Sequence, residues 1–323
     1  MSTIIVIDGG IGRVVTAIPA LLKYHKNHSN EEWYVMVHGW DSVFWGFPEL
    51  QERTFNPNDK SIFKDYFWNA TKIIKPEPYS VPGYYKNEIS LREAFDVCIN
   101  DSTDHSDLPE MQLKLSIPEK RIASEIIEQA KSTHKKSKTI VLQPYGSTAT
   151  PHPTGIYDDS LRSIPEPMLK YFIDNLSKDY NLIFMGAKEF HNSKTYKPDP
   201  DPNLREWAAI IGSADYFIGC DSCGQHICKA LNKPASVVIA GTHRVNVTYD
   251  GFHIIERDVP FYPDAMRISG FQSHMSSRLN EPRIEFTQEE IQKAYQEIIE
   301  NIEGKKKIIE VSKPKEIKGV SYQ

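Results

Sequence analysis

One stretch of the chain, residues 219–234, constrains the fold more than any other. It lies between two apolar runs, residues 216–219 and 235–240, and it concentrates small and polar residues where a strand would pass into a helix. The first turn of a helix leaves backbone N–H groups without partners and carries the positive end of the helix dipole, so it stabilises an anion. The pattern therefore predicts a phosphate-binding turn at the carboxyl edge of a parallel sheet.

The same strand-to-helix alternation recurs along the chain. Residues 4–7 are apolar and are predicted to form a strand, and residues 9–12 form a glycine-rich loop sequence. Residues 14–24 have the apolar spacing of a helix, and a second strand is predicted at residues 33–37. A further series begins with the strand at residues 139–142. Such alternation predicts βαβ units and parallel sheets. The aromatic and proline-rich stretch between residues 48 and 90 has poor periodicity and is predicted to form ordered loops over a cleft.

Length and a polar break predict a division into domains. A chain of 323 residues exceeds the usual size of a single core. The basic segment at residues 131–138 separates a predicted helix from the next strand. We predict a first Rossmann-like domain, binding the acceptor, over residues 1–135 and a second, binding the nucleotide sugar, over residues 136–286. Residues 287–323 are predicted to form a C-terminal helix, which opens with a capping box, and a Lys-rich tail.

The net charge and the hydropathy pattern disfavour two classes of protein, those that bind polyanions and those that span a membrane. The net charge of −5 does not favour a polyanionic partner, because phosphate-backbone binding is normally driven by excess Lys and Arg. The sequence contains no apolar run near the ~20 residues needed to span a bilayer, and it begins with a strand pattern rather than a signal peptide. We therefore expect a soluble, cytoplasmic protein without a transmembrane segment.

The cysteines favour neither disulfides nor a metal. The chain has 4 cysteines, too few and too clustered for a disulfide framework, so reduced thiols are expected. Cys220 and Cys223, with Cys228 and His226 nearby, suggest zinc, but the second ligand pair of the usual pattern is missing. We expect no metal at this site.

Three loops that follow predicted strands are candidates for one binding site. The first contains Asp8, Gly10, Gly12 and Arg13, where glycines allow close backbone approach. The second offers the hydroxyl of Ser147 and, further along, the guanidinium of Arg162 to a diphosphate. The third lies at the predicted helix start and consists of Asp221, Ser222, Cys223, Gly224, Gln225 and His226.

Taken in order, these motifs resemble the heptosyltransferase-like glycosyltransferases of family nine, which have the GT-B architecture of two Rossmann-like domains facing each other across a cleft. The specific match is residues 221–234, which resemble the family signature Asp-Ser/Thr-Gly-x-x-His. Four weaker matches accompany it: residues 10–21 with the N-terminal loop and helix, 140–147 with the strand and Pro-Gly-x-Ser loop, 162–165 with Lys-x-Trp-Pro, and 183–189 with strand-Gly-x-x-Glu.

The resemblance implies an inverting, metal-independent enzyme that moves a hexosyl, heptosyl or pentosyl group from a nucleotide-diphosphate-sugar donor to a hydroxyl acceptor. It requires no cofactor besides the donor substrate. It assigns the diphosphate to Ser147, Arg162 and the backbone of residues 222–225, and the nucleoside to the region of Glu189. The implied acceptor is a lipopolysaccharide-type glycan. The alternatives are a hydroxylated base in DNA, or a catalytically silent protein that binds sugar nucleotides.

Two departures from the family pattern affect the candidate site. Arg13 stands where the family has the Asp that deprotonates the acceptor, and a cation cannot accept that proton. We predict Asp8 as the base instead, with Asp41 and His38 as alternatives, and assign Arg13 to an anionic acceptor or the donor phosphate. Cys223 replaces the glycine of the signature, with Gly224 one residue later, so the N–H contacts of this turn are expected to shift.

Overall fold

The computed structural model describes residues 2–55, 57–152, 155–263 and 276–304. The first half of the chain forms a parallel sheet of four strands in the order β3-β2-β1-β4. Its elements are β1 (Ser2–Ile7), α1 (Ile11–Asn27), β2 (Glu32–Val37), α2 (Pro48–Gln51), β3 (Thr54–Phe55), β4 (Ala70–Ile74), α3 (Pro82–Tyr85) and α4 (Leu91–Asn100).

The second half forms a five-stranded parallel sheet in the order β11-β10-β9-β5-β8, with a separate antiparallel hairpin of β6 and β7. Its elements are α5 (Ile117–His134), β5 (Thr139–Gln143), β6 (Thr150–His152), β7 (Gly155–Tyr157), α6 (Glu166–Leu176), β8 (Asn181–Phe184), α7 (Leu204–Ser213), β9 (Tyr216–Cys220), α8 (Cys223–Ala230), β10 (Ala235–Val238), α9 (Arg244–Val247), β11 (His253–Ile255) and α10 (Gln288–Ile302).

The predicted α/β class and the parallel strands are confirmed, with two local differences. The sequence pattern predicts this helix from Gln225, but α8 begins at Cys223, with Ser222 in the extended backbone of an N-cap. The stretch predicted as loops between residues 48 and 90 contains β3 and β4. Strand β4 was not predicted because it lies at the edge of the sheet. Its residues Thr71, Lys72 and Ile73 are all exposed, so the sequence lacks the apolar-polar alternation of a half-buried strand.

A continuous apolar core connects the two halves. It includes Ile5 and Leu21 of the first half together with Ile210 and Ile227 of the second, each almost inaccessible to solvent. A second cluster covers the other face of the five-stranded sheet, where α6 and α10 pack. Helix α5 packs on α7, β5 and β8. The domain boundary predicted at residue 135 stays a prediction, and the contacts of α5 favour a boundary before residue 117.

Specific contacts hold the carboxyl-end loops of the two sheets against each other. The side-chain amide of Asn246, in α9, donates to the backbone carbonyls of Tyr84 (2.8 Å) and Ile89 (2.9 Å) in the first half. The starts of α1 and α8 also meet, since a Cβ atom at Gly12 would lie 2.8 Å from Cδ2 of His226. Across the described residues, no helix is long and apolar enough to cross a membrane.

Candidate functional site

A cavity of about 690 Å³ lies between the carboxyl ends of the two sheets. The loop after β1 and the residues after β4 line it from one side, and the loops after β5 and β9 line it from the other. The cavity brings together most of the residues predicted from the sequence: Asp8, Gly10, Gly12, Arg13, Ser147, Arg162, Asp221, Ser222, Cys223 and His226. The three candidate loops therefore form one site.

Three predicted binding residues lie outside the cavity lining. Glu189 sits on an exposed 3-10 turn after β8. Gly224 and Gln225 are buried behind the cavity wall in α8. The two alternative bases, His38 and Asp41, are exposed and also do not line it.

The start of α8 is held by a side chain that sequence reasoning did not select. Gln143, the last residue of β5, accepts the backbone N–H of Gly224 at Oε1 (2.9 Å) and donates from Nε2 to Ser222 Oγ (3.2 Å). The N–H of Gly224, which the sequence analysis assigned to a diphosphate, is therefore already bonded within the protein. The signal available in the sequence was a polar residue ending an otherwise apolar strand, because a buried amide needs partners.

Gln225, in the first turn of α8, orients the carboxylate of Asp221, which precedes the helix. The Nε2 of Gln225 donates to Oδ1 of Asp221 at 2.5 Å, and both residues are buried. Asp221 lines the cavity whereas Gln225 supports it from behind. Gln225 is thus a positioning residue in the structure rather than a direct wall of the site.

His226 faces the cavity as a neutral imidazole at pH 7. It is 5% exposed, and its Nδ1 lies 2.6 Å from the hydroxyl of Tyr249. Burial lowers the pKa of His226 to about 4, because the charged form would lose its hydration. His226 therefore meets an incoming ligand as a neutral hydrogen-bonding group.

Arg162 is placed by a loop that is built around Asp158. The buried carboxylate of Asp158 accepts hydrogen bonds from the hydroxyls of Thr148, Ser160 and Ser163 and from two backbone N–H groups. Burial by itself would raise the pKa of Asp158, but these bonds outweigh it and lower the pKa. The Asp-x-Ser spacing at residues 158–160 was the available sequence signal for this turn.

The guanidinium of Arg162 remains available for an anion. Its Nε donates to Ser160 Oγ at 3.0 Å. Among the residues that the structure describes, no carboxylate lies within ion-pair distance of Arg162. An unpaired arginine at the cavity wall is suited to bind a phosphate group.

A charged cluster closes the opposite wall. Arg13 Nη2 lies 3.0 Å from Asp8 Oδ1, and Arg13 Nη1 lies 3.5 Å from Glu77 Oε1. Lys75 Nζ lies 3.2 Å from the other oxygen of Asp8. Arg13 also stacks over the ring of Tyr79, at 5.0 Å from its centroid, and is held in place. Lys75 and Glu77 were missed because they follow the edge strand that was predicted as loop.

The cysteines and other metal-ligating residues form no cluster in the described ranges. No group of three or more His, Cys, Asp or Glu side chains there could hold a metal ion. All cysteines are free thiols. Burial raises the pKa of Cys220 and Cys228, which disfavours the thiolate form that binds metals.

The fold has clear counterparts among solved structures, although no protein-family model and no curated protein matches the sequence. The iron-containing dodecameric glycosyltransferase TibC from enterotoxigenic E. coli H10407 is similar with a TM-score of 0.61 and 12% identity, covering 94% of this chain and 78% of that chain. A family 9 glycosyltransferase from Veillonella parvula DSM 2008 has a TM-score of 0.58 and 12% identity, and the match covers 93% of this chain and 97% of that chain. E. coli ADP-heptose lipopolysaccharide heptosyltransferase II has a TM-score of 0.55 and 12% identity, and the match covers 93% of this chain and 100% of that chain. These likenesses confirm the predicted fold class, GT-B with two Rossmann-like domains.

Proposed function

We propose that this protein is a glycosyltransferase that transfers a sugar from a nucleotide-diphosphate-sugar donor to a hydroxyl acceptor in the cavity between its two sheets. The supporting observation is the juxtaposition of the glycine loop of residues 9–12 with Arg162 and the start of α8 around about 690 Å³. That volume lies within the range of small-ligand sites. The structurally similar heptosyltransferase TibC has also been solved in complex with ADP-D-beta-D-heptose, and that structure matches this chain with a TM-score of 0.60 and 12% identity. The bound ligand supports a nucleotide sugar as the donor class.

In this proposal the leaving diphosphate is stabilised without a metal ion. Arg162 supplies the positive charge, and the first turn of α8 supplies the dipole of oriented N–H groups. His226 contributes a neutral hydrogen bond. Direct displacement with inversion at the anomeric carbon then requires a base on the acceptor side of the cavity.

Asp8 and Glu77 are the carboxylates available on that side. Each oxygen of Asp8 faces a cation, so Arg13 and Lys75 compete with an acceptor hydroxyl for contact with this carboxylate. Glu77 has a looser contact with Arg13 at 3.5 Å and a side chain that is 41% exposed. We therefore retain Asp8, the candidate from the sequence, and add Glu77 as the second candidate base.

The double pairing of Asp8 also favours a second candidate function, a catalytically silent protein that binds sugar nucleotides. A chain with Arg13 in place of the usual base and with both oxygens of Asp8 held in ion pairs would keep donor binding and lose transfer. For the active enzyme we propose a lipopolysaccharide-type glycan as acceptor, with a hydroxylated DNA base as the alternative.

The experiment has two stages. A thermal-shift screen of nucleoside diphosphates and their sugars comes first, because a ligand that binds only the folded state raises the melting temperature. Donor turnover is then compared between the natural protein, Asp8→Asn and Glu77→Gln. We expect the variant of the true base to lose about 10²- to 10⁴-fold in kcat with an unchanged donor Kd.

Glu128→Gln is the matched control, since Glu128 lies on α5 with a side chain that is 70% exposed. Stabilisation by a sugar nucleotide without turnover, in the natural protein and in both variants, would support the silent protein instead. No stabilisation by any nucleoside diphosphate or its sugar would overturn both proposals.

A further inference from the structure

The ring of His226 is held by hydroxyl groups from both halves of the molecule. Its Nδ1 lies 2.6 Å from the hydroxyl of Tyr249, in the segment between α9 and β11. The Tyr249 hydroxyl also has a hydrogen-bonding contact with Thr16, which lies on α1 and is inaccessible to solvent. Thr16 in turn donates from Oγ1 to the backbone carbonyl of Gly12 at 2.5 Å. These four groups form one chain of contacts that runs from Gly12 to the imidazole.

The number of protons in this chain determines which nitrogen of His226 carries a hydrogen. Thr16 gives its one hydroxyl proton to the carbonyl of Gly12, so towards Tyr249 it can only accept. Burial raises the pKa of Tyr249, so its hydroxyl keeps its own proton at neutral pH. If Tyr249 donates that proton to Thr16, its oxygen accepts from Nδ1 of His226 and every group is satisfied. If Tyr249 donated to Nδ1 instead, its lone pairs would face those of Thr16.

The assignment of the proton to Nδ1 leaves a lone pair on Nε2. A neutral imidazole carries one ring proton, so Nε2 is then an acceptor. Within the described ranges Nε2 has no hydrogen-bond partner, and it is not fully buried although the side chain as a whole is only 5% exposed. His226 lines the cavity in which we place sugar transfer. Nε2 is therefore the polar atom that the ring presents to that cavity.

Nε2 lies on the side of the ring that faces the first half of the molecule. A Cβ atom at Gly12 would lie 3.1 Å from Nε2. Gly12 directly precedes Arg13, which stands at the position of the base in the family that the sequence resembles. The guanidinium of Arg13 instead contacts the carboxylates of Asp8 and Glu77. The lone pair of Nε2 thus lies beside the position where the usual carboxylate is missing.

We propose that His226 is the general base of the sugar transfer, and that Tyr249 and Thr16 are positioning residues that keep the proton on Nδ1 and leave Nε2 free to accept. This inference rests on the proposed function and adds a third candidate base to Asp8 and Glu77. In this assignment the neutral hydrogen bond of His226 is accepted from a substrate hydroxyl rather than donated to a phosphate oxygen.

The transfer step balances with His226 as the base. The proton of the acceptor hydroxyl moves to Nε2 while the acceptor oxygen forms its bond to the anomeric carbon. The bond between that carbon and the diphosphate oxygen breaks, and its electron pair leaves with the diphosphate. The resulting imidazolium carries protons on both ring nitrogens, and it passes the Nε2 proton to the released diphosphate or to water.

The charged groups around the ring suit this role. Burial lowers the pKa of His226 to about 4, while Asp221 raises it and Arg162 lowers it by smaller amounts. The ring is therefore neutral and ready to accept a proton before the donor binds. A diphosphate anion beside the ring raises the pKa towards the working pH, where a general base is most effective.

Long-range ¹H–¹⁵N NMR of the full-length protein, labelled with ¹⁵N-histidine, tests the tautomer without any substrate. The chain has 11 histidines, and the signals of His226 are those missing from His226→Gln. We expect a protonated Nδ1 and an unprotonated Nε2. In Tyr249→Phe, which keeps the ring but removes the hydroxyl, Nδ1–H loses its acceptor, so the tautomer should shift towards Nε2–H. A protonated Nε2 in the natural protein would overturn the proposal.

Kinetics test the role of the lone pair. Release of nucleoside diphosphate is followed across pH with ADP-D-beta-D-heptose, or with whichever sugar nucleotide stabilises the protein more, and delipidated core oligosaccharide as acceptor. We expect His226→Gln to lower kcat by about 10²- to 10⁴-fold with little change in donor Kd, and to abolish the fall of kcat at low pH. Tyr249→Phe should lose less. His152→Gln, exposed on β6, is the matched control and should behave like the natural protein.

Donor binding separates a failure of this inference from a failure of the proposed function. A nucleoside diphosphate that stabilises the natural protein should also stabilise His226→Gln, which shows that the variant is folded. If His226→Gln keeps its turnover while Asp8→Asn or Glu77→Gln loses it, the base is that carboxylate; His226 is then wrong and the transfer proposal stands. If the natural protein binds no sugar nucleotide or turns none over, the base assignment is overturned together with the transfer proposal, whichever tautomer is found.

Discussion

Burial determines the charge of His226, and with it the chemistry this residue can contribute. The side chain is surrounded by the hydroxyl of Tyr249 and the backbone near Gly12, and its pKa is about 4. An isolated histidine in an unfolded chain has a pKa near 6.5. The phosphate contact anticipated from the sequence therefore starts from a neutral imidazole that offers a hydrogen bond, and an anion bound beside the ring would raise its pKa.

The same shift makes stability depend on pH. Between pH 6.5 and about 4 the unfolded chain binds a proton at His226 that the folded chain does not, so the free energy of unfolding falls as the pH is lowered. The loss from this residue is on the order of 3 kcal/mol. Urea denaturation at pH 7, 5.5 and 4.5 should show a smaller loss in His226→Gln than in the natural protein.

His152→Gln serves as the control, since His152 lies exposed on β6. Part of the loss should persist in His226→Gln, because burial also lowers the pKa of His243 to about 4. Parallel pH dependence in the natural protein and His226→Gln would contradict the prediction.

At the scale of elements, the loop at residues 158–163 is organised from within. Asp158 collects donors from Thr148, Ser160 and Ser163, and Leu161 adopts a left-handed backbone at φ +51°. The loop is fastened further by the N–H of Gly241, which donates to the carbonyl of Leu161 at 3.0 Å. The position of Arg162 thus follows from one buried carboxylate.

Asp158→Asn should damage both stability and anion binding. An amide group replaces one acceptor oxygen by a donor that would face hydroxyl and N–H donors, at a cost of about 1 to 3 kcal/mol. We expect the Kd for a nucleoside diphosphate to rise by about tenfold as Arg162 loses its position. Chemical denaturation and calorimetric titration measure the two effects.

Asp199→Asn is the matched control, because its ion pair with Lys188 joins side chains that are 78% and 79% exposed. Such surface pairs contribute little to stability. Equal behaviour of Asp158→Asn and Asp199→Asn would show that the loop does not depend on this carboxylate.

At the scale of the whole molecule, the two halves meet where α1 and α8 begin. Gly12 allows this approach because a Cβ there would lie 2.8 Å from Cδ2 and 3.1 Å from Nε2 of the buried His226 ring. The nearby Gly10 is different, since a Cβ at that position would meet nothing within 4 Å and its φ is −81°. Two glycines of one loop therefore differ in what they do for the assembled fold.

This difference predicts a contrast between two conservative variants. Gly12→Ala should push the two halves apart, lower stability by about 1 to 3 kcal/mol and weaken nucleotide binding, since overpacking forces the backbone to shift. Gly10→Ala should cost no more than about 1 kcal/mol, the cost of alanine at an N-cap. Thermal denaturation and small-angle X-ray scattering test the contrast, and equal effects of the two variants would contradict it.

Much of the site could be predicted because its parts are local. The glycine loop, the polar turn at Asp221 and Ser222, and the residues Ser147 and Arg162 each follow a strand whose apolar pattern is contained in a few neighbouring residues. Parallel strands present their carboxyl ends at the same edge, so such loops gather there. The assignments of Gly224 and Glu189 stay predictions, although the N–H of Gly224 is bonded to Gln143 and Glu189 lies on an exposed turn outside the cavity lining.

The sequence by itself determined the α/β class, the parallel strands and the polar loops at their carboxyl ends, because these depend on hydrophobic periodicity and helix-start chemistry within short segments. Only the tertiary structure decided which loops face each other, that Asp8 is paired with Arg13 and Lys75, that His226 is neutral, and that its ring is held by Tyr249. The physical reason is distance along the chain. Ion pairing, desolvation and cavity shape arise from residues brought together by packing, and no local pattern records which of them will meet.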